Sequence, residues 1–337
     1  MGFLGNLLKK IGGAAPTDMT FVPSLAPAAA AGPAEPIIAD ECYVELYVES
    51  LRLAQARKFA TRFDGAVYSF VTLSREGDTK AEFAAVSKPD KLAELDSQSL
   101  DKVITVSKQM MGAVPWRGGT LGLEVGLFSV KKGNLLSPVL DYVTKVSSTA
   151  GASFVGAVKP FLPLITEGVD LLAGQRQDTA IEVAVDTDLT VTASTMLAMI
   201  AAPKGSIDPS KLTVDPSDHK LLLDGKPLQR GYCVFSIRRV LRKADYGEIP
   251  ELKEKYAAVQ TAIKANKIKD AEEALMVFRL ATIASPDLIP SDAAALVDRA
   301  TRKVKAAFGP GGISKAEREA PPEPLSNIGL YEPPDEP

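Results

Sequence analysis

Histidine occurs once in this chain, at position 219 between Asp218 and Lys220, so any Ser-His-Asp or Cys-His relay would have to be built around that one imidazole. The two thiols, Cys42 and Cys233, lie in stretches of alternating apolar residues. There a free cysteine behaves as a small hydrophobe, and neither sits in the sharp strand-to-helix turn that presents a nucleophile. Zinc needs clustered Cys and His, which this composition cannot supply. Calcium suits the acidic residues better: Asp186 and Asp188, and Asp215 and Asp218, with Asp208 and Asp224 nearby, read as loops after strands, where carboxylates converge on a hard cation. Asp is equally the ordinary residue of such turns, because its side chain caps the backbone. The turn reading is the one adopted, with no metal and no cofactor expected.

Pro115-Trp116-Arg117-Gly118-Gly119 has glycines but no downstream Lys-Ser/Thr, and it leads into a strand pattern. It fits neither a phosphate-binding loop nor a dinucleotide fingerprint, and reads as a tight turn with Trp116 packed on the core. Arg238, Arg239, Arg242 and Lys243 form the densest basic cluster, a solvated face in one reading and a phosphate or acidic-partner contact in the other. A net charge of −3 and the lack of an aromatic ladder beside these residues argue against nucleic acid as a partner. The residues favour no catalytic class, and the chain is read as a non-enzyme.

The other feature with functional content is the N-terminus. On a helical wheel Phe3, Leu4, Leu7, Leu8 and Ile11 fall within an arc of roughly 140°, opposite Lys9 and Lys10. A basic amphipathic segment of this kind has three candidate partners: an anionic membrane surface, a groove on another protein, or a patch on its own body. Asn6 stands where a myristoylation signal wants Ser or Thr. The segment is also too short for a secretory signal, and no run of about 20 apolar residues exists to cross a bilayer. A cytoplasmic protein, peripheral at the membrane if bound there, is expected.

The elements that position these residues follow from periodicity. Cys42, Val44, Leu46 and Val48 alternate with Tyr43, Glu45, Tyr47 and Glu49, the period of a half-buried strand. The same alternation recurs at Leu121 to Leu127 and Ile181 to Val185, and further short strands are read at 66–73, 80–86, 103–109, 196–201, 211–214, 219–223 and 232–237. Many short strands with Gly, Pro and Asp turns predict an antiparallel β-sandwich over 37–240. A helical insert is expected at 137–174. Its apolar part, 152–172, is read as packed on the sheets, with release into a membrane as the alternative. Beyond 240 the period changes to 3.6, predicting three helices within 241–308. Residues 1–12 form the amphipathic helix, 13–36 a Pro/Ala-rich flexible linker, and 309–337 a disordered Pro/Glu-rich tail with one apolar island, 325–331.

In architecture alone, a sandwich with acidic loops and a membrane-like terminus resembles the membrane-docking sandwiches of the C2 type. The expected function is that of a non-enzymatic interaction protein reaching a membrane surface or a partner assembly through Phe3, Leu4, Leu7, Leu8, Lys9, Lys10 and Ile11, with homo-oligomerisation compatible. A structural or cargo component of a multiprotein particle, docking through both termini, is the second reading. A membrane-perturbing effector acting through 152–172 is the third.

Overall fold

The computed structural model describes residues 19–27, 34–53, 57–58, 61–73, 81–87, 104–131 and 179–332. The N-terminal segment and the 137–174 insert lie outside them. The strands in chain order are β1 (Thr20–Pro27), β2 (Tyr43–Arg52), β3 (Arg57–Lys58), β4 (Thr61–Leu73), β5 (Ala81–Ser87), β6 (Ile104–Pro115), β7 (Thr120–Lys131), β8 (Thr179–Thr190), β9 (Thr195–Ile200), β10 (Leu212–Val214), β11 (Leu221–Leu223), β12 (Lys226–Pro227) and β13 (Tyr232–Val240). They form an eight-stranded sheet in the order β12-β11-β10-β1-β9-β13-β2-β6 and a five-stranded one, β3-β4-β7-β8, with β5 also on β4. Among the described residues every strand pair is antiparallel except β1 with β10. Neither sheet closes into a barrel.

One apolar cluster draws on both sheets: Val44, Leu46 and Val48 of β2 and Leu197, Phe235 and Ile237 of β9 and β13 meet Leu121, Leu123 and Val125 of β7. The two-residue period of β2 therefore holds as far as Val48. Across the β2–β13 pair Val48 faces Phe235 and Ser50 faces Val234, which leaves Glu49 as the extra residue of a bulge. The register against β6 slips at the same place. A bulge re-aims side chains. Leu51 returns to the inter-sheet core, while Glu49 and Ser50 both reach groups outside it. On that outer side a second cluster joins Val22, Ile200, Leu212, Leu221 and Val234, so the short strands β10 to β12 cover one end of the large sheet.

The flexible linker expected at 13–36 is corrected in part. Thr20–Pro27 is a strand inserted between β9 and β10, and Val22 and Leu25 are buried. Its composition misleads because Pro23 donates no backbone hydrogen bond. The register shift between Val22 and Leu25 is the irregularity that lets a proline sit in an internal strand.

After β13 the chain forms α1 (Pro250–Lys264), α2 (Ile268–Ile283), α3 (Pro290–Phe308) and a short α4 (Lys315–Glu319). Proline at the first turn of α1 and α3 fits there because that N–H would be unpaired anyway. Leu252, Tyr256 and Val259 of α1, Phe278 of α2, and Leu296, Ala300 and Val304 of α3 share a core. The tail expected to be disordered from 309 is corrected for 309–332. Leu325, Ile328 and Leu330 are buried in this same core, so the apolar island is covered by the chain's own helices. Gly247 makes the close approach of the tail feasible: a Cβ there would stand 2.6 Å from Ser326 Cα and N.

The helical unit meets the large sheet at the Tyr43 end of β2. Tyr43, Ala113 and Ile289 form a small shared cluster. The Tyr43 hydroxyl donates to Asp292 Oδ2 at 2.6 Å and accepts from the Ile289 N–H at 3.2 Å. Tyr331 Oη donates to the same Asp292 oxygen at 2.5 Å. Arg117, in the Trp116–Gly119 turn, donates to Leu288 O at 2.8 Å. Trp116 is buried, and Gly118 and Gly119 adopt φ of 80° and 82°, as a tight turn requires.

Candidate functional site

The single histidine belongs to a polar cluster centred on Glu49, a group the sequence reading left on the polar phase of β2. The bulge drives its carboxylate into a fully buried position. Oε1 accepts from Ser236 Oγ and from Arg238 Nη2 at 2.5 Å. Oε2 accepts from Ser107 Oγ at 2.9 Å and lies 3.1 Å from His219 Nδ1. That last contact is a charge approach without hydrogen-bond alignment. Burial pushes the Glu49 pKa up, and the hydrogen bonds from Ser236, Arg238 and Ser107 outweigh it, so the net shift is downward. Glu49 is thus an ionised carboxylate with both oxygens engaged. Three hydrogen bonds, two to Oε1 and one to Oε2, hold it in place.

His219 sits in the Asp215–Lys220 turn with φ of 57°, and its carbonyl accepts from Ser50 Oγ at 2.5 Å. The two bulge residues therefore hold the β10–β11 turn from two sides. A carboxylate–imidazole pair can activate a nucleophile that stands beyond it. The thiols do not fill that role, because Cys42 and Cys233 are both buried between the sheets. Burial also pushes the Cys233 thiol well above its usual range. The cluster joins β2, β13 and the β10–β11 turn.

The acidic calcium candidates do not converge. Asp186 and Asp188 lie within β8, a correction to their reading as loop residues, and Asp188 is exposed. Asp215 Oδ1 accepts from Ser217 N and Oγ at 2.8 and 2.6 Å. Asp218 Oδ1 accepts from Lys220 N at 3.1 Å. Asp224 and Gly225, with φ of 50° and 73°, make the two-residue turn between β11 and β12 that favours Asp-Gly. Among the described residues no group of three or more His, Cys, Asp or Glu could hold a metal ion.

In the basic cluster Arg238 and Arg242 are exposed and Arg239 is half-buried, and only Lys243 departs from a solvated face. Arg238 stacks 4.0 Å over the Tyr47 ring and pairs with Glu49. Arg239 Nε is buried without a hydrogen-bond partner. Arg242 lies 5.5 Å over the ring of Tyr331. Lys243 is fully buried, donating to Ala113 O at 2.7 Å beside Asp245 at 3.3 Å. Burial pushes its pKa down against the pull of Asp245 and Asp287. Of these, Arg242 reaches the tail and Lys243 reaches β6 of the large sheet.

Among the described residues, one face of α2 remains exposed. Ala271, Phe278 and Thr282 point into the helical core, and Phe278 packs 5.5 Å from the Tyr256 ring. On the other side Met276, Val277, Leu280 and Ile283 are 64%, 50%, 61% and 61% exposed. Positions 276, 280 and 283 align along one side of a helix, with 277 on its flank. Contiguous apolar patches beyond a few hundred Å² mark interaction surfaces. Glu272 and Glu273, both exposed, continue this face one turn toward the helix N-terminus, and Lys269 lies a turn beyond them. The sequence reading predicted a helix here and passed over this second stripe. Its signal was present: α2 is apolar on two sides.

Of the residues singled out in the sequence, Phe3, Leu4, Leu7, Leu8, Lys9, Lys10 and Ile11 lie outside the described residues, as does 152–172. Among the described residues no helix is long and apolar enough to cross a membrane. Comparison with protein-family models, with curated proteins and with solved structures gives no match.

Proposed function

We propose that this chain is a non-enzymatic interaction protein. In this reading its two sheets form a sandwich, comparable with C2-type sandwiches in architecture alone, and its helical unit receives an amphipathic helix on the outer face of α2. The observation that carries the reading is the row of exposed apolar side chains, Met276, Val277, Leu280 and Ile283, on a helix whose opposite side already fills the core. Helix-in-groove recognition uses such i, i+4, i+7 anchors. The Glu49 cluster supports the non-catalytic part, since it sets the chain's one imidazole against the β2 bulge with both thiols buried elsewhere.

The test is the affinity of a fluorescent, generic Leu/Lys amphipathic helical peptide for the full chain, measured by anisotropy. Binding should be lost in Met276→Glu/Leu280→Glu while the melting temperature holds, because both side chains are exposed and surface changes stay within about 0.5 kcal/mol. No binding by wild type, or equal binding by the variant, overturns the reading.

A further inference from the structure

We infer that the groove holding residues 325–331 is a peptide-recognition site which the chain fills with its own tail, and that this tail is a displaceable strap whose place the same segment of a second copy can take. The segment is seated as a peptide ligand is seated. Leu325, Ile328 and Leu330 are buried, and the turn at 325–328 packs against residues 246–248, α1 and α3. Much of the polar grip falls on the segment's backbone. Tyr246 Oη donates to Ser326 O at 2.8 Å and accepts from the Leu330 N–H at 3.3 Å, and Arg299 donates to Glu332 O. Tyr331 adds a side-chain anchor: its ring meets that of Tyr246 edge-on at 5.9 Å, and its hydroxyl donates to Asp292 and accepts from the Lys243 N–H at 2.7 Å. Gly247 leaves the room into which the Ser326 backbone fits. Backbone bonds combined with spaced side-chain pockets are the means by which short peptides are recognised. The segment also carries its own shape. Asn327 N–H donates to Pro324 O at 3.0 Å and Glu332 N–H to Gly329 O at 2.9 Å, with Gly329 at φ of 69°, so less conformational freedom is lost on docking.

The chain leading to the segment makes it detachable. None of residues 309–324 is buried. Their ties to the helices lie at the surface: Lys264 Nζ donates to Glu317 O and Ala320 O, each at 2.7 Å, and Lys303 pairs with Glu323. Surface pairs of this kind hold weakly, so 325–331 opens as a local unit and the helices stay folded. Drawn out, 309–324 spans about 55 Å, enough to carry the segment to a neighbouring molecule. A second copy's tail offers the groove the same Leu325, Ile328, Leu330 and Tyr331 and makes the same bonds. Tethering gives the chain's own tail an effective concentration in the millimolar range, so a dilute chain fills its own groove, and exchange sets in when that tail is weakened or the chains are crowded.

Amide exchange on the unaltered full chain is the first test. The amides of Asn327, Leu330 and Glu332 should exchange together, at least about tenfold faster than those of Leu296 and Val304 in α3; exchange at the α3 rate would make the tail part of the global unfolding unit and overturn the inference. Ile328→Glu/Leu330→Glu vacates the groove in the full chain. A fluorescent peptide of residues 320–332 should bind that variant, measured by anisotropy, and bind wild type at least about tenfold more weakly, because the tethered tail competes. Binding to neither chain, or equal binding to both, overturns the inference. So does binding that disappears when Met276→Glu/Leu280→Glu is added to the vacated variant, since the peptide would then sit on α2. Gly247→Ala blocks the groove and frees the tail, so a mixture of this chain with the vacated variant should show in sedimentation velocity a heterodimer that neither forms alone; its absence rules out exchange between copies and overturns the inference. Should the vacated variant not fold, unlabelled peptide added in excess to wild type gives the answer: it should speed exchange at the chain's own Leu330, and an unchanged rate overturns the inference.

Discussion

Removing one oxygen, in Tyr43→Phe, should loosen the helical unit from the large sheet. The hydroxyl donates to Asp292 Oδ2 at 2.6 Å and accepts from the Ile289 N–H at 3.2 Å, and Tyr43, Ile289 and Asp292 are all buried. A hydrogen bond to a charged group contributes about 1.5–3 kcal/mol, and a buried N–H left unpaired costs about 1–3 kcal/mol. Asp292 keeps its bond from Tyr331, so the loss should fall at about 2–4 kcal/mol rather than at the sum. Burial, reinforced by the bond to Asp292, pushes the Tyr43 pKa far above its usual value. The phenol therefore stays a neutral donor, and the loss should be flat from neutral to mildly alkaline pH. Urea unfolding measures the total, and amide exchange at Ile289 and the first turn of α3 locates it. A loss under about 0.5 kcal/mol with unchanged exchange at Ile289 would refute the assignment of this contact as the fastening. Combining Tyr43→Phe with Tyr331→Phe should cost more than the two singles add up to, since both hydroxyls share one carboxylate oxygen.

Glu49→Gln should lower stability by about 1–3 kcal/mol, and its effect should depend on pH. The folded pKa of Glu49 is depressed below the ordinary 4.5, so its contribution is complete above that value and drains away as pH falls toward the folded pKa. Acid titration of the unfolding midpoint should be shallower in the variant, and parallel curves would contradict the buried ionised state. Gly247→Ala should displace the tail, because its new Cβ would meet Ser326 Cα and N at 2.6 Å; faster proteolysis near residues 320–332 reads it out, and an unchanged digestion pattern counts against the packing. Millimolar calcium should leave the unfolding midpoint unmoved in wild type and in Asp215→Asn/Asp218→Asn alike, whereas a rise in wild type alone would reinstate a cation site.

How much of this was legible in the sequence depended on whether local pattern and tertiary role agreed. Val44, Leu46 and Val48 kept their period through to the core, as did Leu121, Leu123 and Val125, because in each run alternation and burial agree. Glu49 was invisible as a buried group: alternation places it outside, and nothing local announces that Ser50 joins it there at a bulge. Lys243 looked like one more surface cation, since burial of its ammonium depends on the Ala113 carbonyl arriving from β6. Thr20–Pro27 was masked by two prolines, and the tail by its prolines and acids. In both, a few apolar side chains outweigh the composition around them: Val22 and Leu25 in the strand, Leu325, Ile328 and Leu330 in the tail.

The place of β1 has a consequence for how the protein is made. Thr20–Pro27 leaves the ribosome early, yet its neighbours in the sheet are Thr195–Ile200 and Leu212–Val214. At about 5–20 residues per second the nascent strand waits on the order of 10–40 s for the slot it fills. Contacts so distant in sequence form slowly. Until they do, β9 and β10 present two open edges, which any extended segment of another nascent chain can enter. Crowded synthesis should therefore favour exchange of β1 between chains.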